Sequence, residues 1–397
     1  MKLSKKLKYA LVSIFSLLIG TIISFCGVIY VNLPESYQIP NKVINQSSSL
    51  TGIDVNLVKT QQMSIHFLEL GNVYTGDCTL IDIGNTEILI DAGSKASSVS
   101  QIKNYIDQYV EDGIIEYVIV THAHEDHIAG FSTSKKVDSL FDLYDVENII
   151  EFAKTNKTSS ASLYSNYLRE KQELSQKMEE KGKQLNVFTA LDCVNEVNSA
   201  QRVYNLTENI KLEILYQEFY EKKATTENNY SVCFQLVEND QNYYMFTGDL
   251  EKEGEISLVN ENKTGGKNEG MLHEVQLYKA GHHGSKTSSS EEFLSVIKPH
   301  NVCVCCCAGS SEYTSKPENQ FPTQEFVNRI SVYTQNVFVT TLCLNYKQSS
   351  YTSFNGNICV YYSSEENKIV ILCSNNATKL KDTEWFATNR TMPSAWQ

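Results

Sequence analysis

Three of the chain's eight histidines fall within six residues, in Thr121-His122-Ala123-His124-Glu125-Asp126-His127. Extended backbone sends alternate side chains to one face, so His122 and His124 can aim their imidazoles at one point. A helix beginning just after them turns Asp126 and His127 toward the same cavity from the next corner. Imidazole and carboxylate together suit zinc, manganese or iron. The stretch therefore reads as a metal site rather than a polar loop. Two later clusters carry the same donor types, Thr247-Gly248-Asp249 and Gly281-His282-His283-Gly284-Ser285-Lys286-Thr287.

An apolar, strand-like run leads into each cluster: residues 117–120, 243–246 and 276–279. Further strands are predicted over 64–69, 79–83, 87–90, 211–216 and 231–237, and Ile102, Tyr105, Ile106 and Val110 give residues 99–109 helical spacing. Ligand-type residues at several strand ends, on one edge of a sheet sandwich, are what an active site requires. Residues 155–185 read as a helical insertion, with Leu163, Tyr167, Leu174 and Met178 as its apolar stripe and charges of both signs forming a solvated face.

A chain of 397 residues exceeds one typical domain, and 41% hydrophobic with 20% charged residues is a globular composition. The formal net charge of −13 argues against a surface that broadly attracts nucleic acid. It leaves a nuclease open, because metal ions supply positive charge locally. Lys2, Lys5, Lys6 and Lys8 precede an uncharged run over 9–31, long enough to cross a bilayer. Basic residues stay cytoplasmic, which sends the rest of the chain outside as a signal-anchored domain. A cleaved signal peptide is the rival reading, but no small-x-small site follows the run, and Phe25 before Cys26 fits a lipoprotein cleavage box poorly. Residues 1–8 form a basic cytoplasmic tail and 32–61 a polar stalk; the catalytic domain spans 62–375 and a tail covers 376–397. The odd count of eleven cysteines argues against a disulfide scaffold. Cys303, Cys305, Cys306 and Cys307 read as small buried hydrophobes of a strand over 302–308.

His122-x-His124-x-Asp126-His127, Thr247-Gly248-Asp249 and His282-His283-Gly284-Ser285 together resemble the metallo-β-lactamase superfamily. The opening His66-Phe67-Leu68-Glu69-Leu70-Gly71, then Gly76-Asp77 and Ile88-Leu89-Ile90-Asp91-Ala92-Gly93, is similar to the extracellular hydrolase domain of ComEC-type competence proteins and their free-standing relatives. The likeness runs from about residue 63 to 371. It implies a four-layer αβ/βα sandwich with two divalent metal ions, zinc or manganese, held at the loop ends. It implies His122 and His124 on the first metal, and Asp126, His127 and one of His282 and His283 on the second. Asp249 bridges the two, and Asp91 and Asp77 stand behind, orienting ligand histidines through hydrogen bonds.

The chain also departs from that pattern. Many relatives carry a third histidine for the first metal between the motif and the bridging aspartate, and no histidine occurs here between His127 and His273. The first site is therefore expected to be weak. Asn72-Val73-Tyr74-Thr75 is inserted in a loop that is shorter in relatives, and Phe321-Pro322-Thr323 stands where relatives often have a histidine before the proline.

A metal pair lowers the pKa of a shared water and clamps the attacking and leaving oxygens of an in-line displacement, which suits a phosphoester. Asp126, Asp249 and His282 are the expected catalytic residues. Ser285, Lys286 and Thr287 offer hydroxyls and a cation to phosphate oxygens, and Asn229 belongs to an Asn-x-x-Ser stretch resembling one in ComEC-type domains. The expected function is a membrane-anchored, metal-dependent phosphodiesterase or nuclease acting on DNA or on an envelope polymer such as a phosphocholine-bearing teichoic acid. The alternatives are a phosphocholine esterase and a hydrolase of an ester, lactone or β-lactam. His66, His273 and His300 read as core or surface histidines.

Overall fold

The structure is a computed structural model that describes residues 47–397 apart from 135 and 161. The predicted membrane span over 9–31 lies outside the described residues, among which no helix is long and apolar enough to cross a membrane. Ser47–Gln397 forms one compact unit.

Two sheets of nine and eight strands make its centre. In spatial order the first contains Ser47–Thr51, Lys368–Cys373, Ile358–Ser363, Ser64–Phe67, Thr79–Asp82, Glu87–Ile90, Ile114–Val120, Asp145–Glu151 and Asn186–Thr189. The second contains Ser350–Ser353, Val337–Asn345, Val302–Ala308, Leu277–Lys279, Asn242–Phe246, Cys233–Glu238, Ile210–Leu215 and Val203–Asn205. Apart from one edge pair in each, the sheets change from antiparallel to parallel pairing partway across: at Glu87–Ile90 in the first and at Asn242–Phe246 in the second. Parallel strands covered on both faces need unbroken apolar runs. Ile88-Leu89-Ile90 and Val118-Ile119-Val120 supply them, all buried.

Adjacent strand residues point to opposite faces, which fixes the layers. Phe67 stacks on Phe246 of the second sheet at 6.3 Å between ring centroids, while its neighbour His66 bonds Tyr105 of the helix Val99–Ile106 at 2.9 Å. The helix therefore covers the outer face of the first sheet. In Val302–Ala308 of the second sheet, Cys303 and Cys305 join the core between the sheets. Val302, Val304, Cys306 and Ala308 pack outward with Leu258, Phe293 and Phe326 of the helices Lys252–Glu261, Glu291–Ile297 and Gln324–Ile330. The order helix, sheet, sheet, helix is the αβ/βα sandwich. The cysteines of this strand are buried and unpaired, and no disulfide occurs among the described residues.

The insertion is the helix Ser162–Glu180, whose buried residues are Tyr167, Glu170, Leu174 and Met178. Glu170 was not part of the expected stripe; it accepts from Ser139 Oγ at 2.9 Å and pairs with Arg169. Two boundaries differ from the sequence reading. The supposed stalk over 32–61 enters the fold at Ser47, because Ser47–Thr51 lies parallel on Lys368–Cys373. An edge strand pairs through its backbone, so a serine-rich composition hides it. The tail over 376–397 is also packed: Leu380, Phe386 and Trp396 are buried, and Trp396 Nε1 donates to Thr334 O at 2.8 Å.

Candidate metal centre

Backbone bonds stitch three loops together at one end of the first sheet. Asp77 N donates to Asp126 O at 3.0 Å, Ala92 N to His127 O at 2.7 Å and Gly93 N to Asp77 O at 2.9 Å. The approach is close enough that a Cβ on Gly93 would lie 1.6 Å from Asp126 O, so only glycine fits there. Asp91 adopts φ 55°, in the left-handed region, and its carboxylate accepts Thr121 N at 2.8 Å, Thr121 Oγ1 at 2.7 Å and His127 Nδ1 at 2.7 Å. That contact fixes the His127 tautomer and leaves Nε2 facing Asp249 Oδ2 at 3.2 Å.

His283 is held in the same manner from the second sheet. Its Nδ1 donates to Cys305 O at 2.9 Å, and Asp77 Oδ1 lies 3.2 Å away as a charge contact. Its Nε2 is 3.3 Å from both Asp126 Oδ2 and Asp249 Oδ2. Asp91 thus lies against His127 and Asp77 against His283. Asp249 Oδ2 is the centre of the group: His122 Nε2 and His282 Nε2 also approach it, at 3.9 and 4.0 Å.

One ligand atom from each of Asp77, His127, Asp249 and His283 lies within 4.8 Å of the others. His127 Nε2, His283 Nε2, Asp249 Oδ1 and Asp77 Oδ1 are buried without a hydrogen-bond partner. Buried polar atoms are normally paired, and a shared divalent cation is the partner this donor set fits. Without one the pocket is highly polarised. Burial alone would push the imidazoles of His127 and His283 down, yet Asp249, with Asp91 and Asp77, holds both well above their ordinary value. Burial and the charge of His127 push His122 well below it.

The other two motif histidines make a leaner group, with His122 Nε2 3.0 Å from His124 Nδ1. Sequence spacing left His282 and His283 as equal candidates, and the structure separates them. Both have left-handed backbone, φ 47° and 54°. His283 is fully buried with Asp126 and His127, whereas His282 sits at the rim with Nδ1 3.1 Å from Thr287 Oγ1 and 3.7 Å from Glu251 Oε1.

Above these groups lies a cavity of about 430 Å³ lined by Lys95, His124, Asp126, Lys157, His282 and Tyr313, among others. Of the expected substrate-binding residues, Ser285, Lys286, Thr287 and Asn229 are not in its wall. Lys286 reaches Asn319 Oδ1 at 2.9 Å instead, and Asn229 Oδ1 accepts Glu251 N at 3.1 Å, so both brace loops. Ser285 Oγ and Thr287 Oγ1 bond each other at 3.1 Å. Of these side chains, that of Thr287 contacts the histidine pair, through His282. Phe321, where relatives often have a histidine, packs its ring 5.6 and 5.9 Å from His282 and His283.

Lys279 was read only as a strand residue. Its buried ammonium pairs with Asp77 and lies 3.8 Å from Asp249 Oδ1. Burial would lower it, but Asp77 and Asp249 hold it above its ordinary range, so it stays charged. Removing one partner of a buried ion pair typically costs 3–5 kcal/mol. Lys279→Gln is therefore expected to destabilise the metal-free protein by about 3–5 kcal/mol in urea unfolding, and Asp77→Asn in the same chain should recover most of that loss. A loss below about 1 kcal/mol would show the pair to be dispensable.

The family described as Anti-Pycsar protein Apyc1 matches residues 68–294, more than half of the chain. Competence protein ComA of Neisseria gonorrhoeae is 34% identical over 113 residues, covering 28% of this chain and 14% of that protein, so the chain spans about one seventh of that relative's length. Among solved structures, the metallo-β-lactamase fold protein YhfI from Bacillus subtilis superposes with a TM-score of 0.39 at 11% identity, over 70% of this chain and 95% of that one. A long form RNase Z from yeast gives 0.39 at 12% identity, over 71% and 41%. The family match takes in every ligand-type residue from Asp77 to His283. The chain, an αβ/βα sandwich with a buried His/Asp cluster that fits a metal ion, belongs to the Anti-Pycsar protein Apyc1 family.

Proposed function

We propose that the chain is a membrane-anchored phosphodiesterase that works with two divalent ions, zinc or manganese, bound with unequal strength. The observation that carries this reading is Asp249 Oδ2, placed within 3.2–4.0 Å of four imidazole nitrogens beneath a cavity with Lys95 and Lys157 in its wall. Asp126, His127, His283 and Asp249 would hold one ion, and His122, His124 and Asp249 the other. Ions bound there supply a water ionised near neutral pH and positive charge at the two oxygens of an in-line displacement.

The protein's own groups do the rest. Asp91 and Asp77 keep the ligand nitrogens of His127 and His283 pointed inward. Lys279 offsets the charge of Asp77 and so keeps a buried carboxylate from standing alone. Lys157, with Lys95 held between Glu125 and Glu312, supplies cations in a wall that also carries carboxylates, and bound metal ions would add the positive charge an anionic substrate needs. Asp126 Oδ2 and Asp249 Oδ1 are the acceptors for the proton that the attacking water loses. A phosphodiester of DNA or of an envelope polymer supplies the anion that these cations fit, and a neutral ester or lactam does not. The uncharged run over 9–31 would anchor the domain outside the membrane.

The test is a panel: full-length protein in detergent, with zinc or manganese, against bis(4-nitrophenyl) phosphate, single-stranded DNA, a phosphocholine ester and a chromogenic β-lactam. Turnover of a diester with none of the lactam is expected. Turnover of the lactam alone would overturn the reading. Protease added to intact spheroplasts should digest the domain, and protection until lysis would reverse the topology.

A further inference from the structure

We propose that Tyr313 is a catalytic residue whose phenol donates a hydrogen bond to the departing oxygen of the substrate, an assignment that rests on the phosphodiesterase reading above. The residue is 57% exposed, yet it lines the cavity and its hydroxyl donates to Asp126 Oδ2 at 2.7 Å. That oxygen is the one 3.3 Å from His283 Nε2. The hydroxyl therefore lies at the solvent side of the reacting centre, where a departing group must leave.

The loop that carries Tyr313 is fixed rather than merely near. Gly309 N donates to Phe321 O at 2.9 Å and closes it. Glu312 Oε2 accepts Thr75 N at 2.8 Å, tying the loop to the inserted segment after Asn72, and Glu312 Oε1 lies 3.7 Å from Lys95 Nζ. Phe321 packs 5.9 Å from the Tyr313 ring while also lying against His282 and His283. Phe321 cannot donate, and the polar tip beside it comes from Tyr313. Burial and the Asp126 carboxylate push the phenol above its ordinary range, so it is a neutral donor at working pH.

In the reaction the water oxygen bonds phosphorus as the bond from phosphorus to the departing oxygen breaks, leaving its electron pair on that oxygen. The water's proton passes to the carboxylate of Asp126 or Asp249 and from there to solvent, and the departing oxygen takes one from solvent. Tyr313 stabilises the developing charge without losing its own proton. Such a donor matters more as the departing oxygen becomes more basic.

Tyr313→Phe removes only the hydroxyl. With bound metal measured alongside, its kcat should fall roughly 10²-fold on diphenyl phosphate and less than about tenfold on bis(4-nitrophenyl) phosphate, whose leaving group needs little help. Metal content should stay that of the wild type. An equal loss on both diesters, no loss on either, or loss of metal would overturn the assignment, since each points to a structural role through Asp126 or to none. A wild-type chain inactive on both diesters would overturn the phosphodiesterase reading and this assignment together. An active wild type with a flat response in the phenylalanine variant would overturn only the role of Tyr313.

Discussion

Replacing Asp249 by alanine is expected to leave the chain without bound metal and without hydrolysis. One oxygen of this carboxylate faces His127 and His283 at 3.2 and 3.3 Å and His122 and His282 at 3.9 and 4.0 Å, so both candidate positions share it. Removing it strips each position of its common anion. Metal charge stabilisation is worth several kcal/mol of a barrier, so the rate should drop by at least about 10³-fold. Elemental analysis after dialysis, beside circular dichroism to establish folding, is the measurement. Asp249→Asn is the companion: it keeps the shape and one acceptor oxygen but not the charge, and should retain at most one weakly held ion. Two tightly bound ions in the alanine protein would sink the bridging role.

How much of this centre could be read beforehand depended on the distance over which each residue is positioned. His122, His124, Asp126 and His127 are set by one strand end and one short helix, Glu125–Ile128, so local periodicity sufficed. Asp91 and Asp77 were legible as strand-end carboxylates beside that loop, and their partners His127 and His283 are the ones a supporting hydrogen bond requires. The choice between His282 and His283 was not legible, because two successive left-handed residues set it and spacing carries no sign of φ. Lys279 was hidden for another reason. Strand alternation says which face a residue takes but not which ion waits there, and Asp77 comes from the other sheet. Tyr313, Lys95 and Lys157 reach the cavity from loops, whose paths no period describes. Lys286, singled out for its place beside the histidine pair, reaches Asn319, and Asn229, singled out by its likeness to an Asn-x-x-Ser stretch, accepts Glu251 N.

His122→Ala should separate the two positions. Its imidazole belongs to the leaner group, whose other members are His124, 3.0 Å away, and the shared Asp249. The second group keeps Asp126, His127, His283 and Asp249, with Asp77 and Asp91 still orienting its histidines. The variant is therefore expected to hold about one ion after dialysis and to resist mild chelation as well as the wild type's tighter ion does. Hydrolysis should nonetheless fall by roughly 10²–10³-fold or more, because one ion cannot stabilise both the attacking and the departing oxygen of the displacement. His122 is fully buried, so the cavity left by its ring could unfold the site and imitate metal loss. His122→Gln guards against that by keeping bulk and a polar end without the imidazole. If both variants stay folded with one ion and little activity, the first position is the weak and necessary half of the pair. Full activity in either, or loss of both ions while the fold is intact, would show instead that the Asp126, His127 and His283 group depends on, or does without, its neighbour.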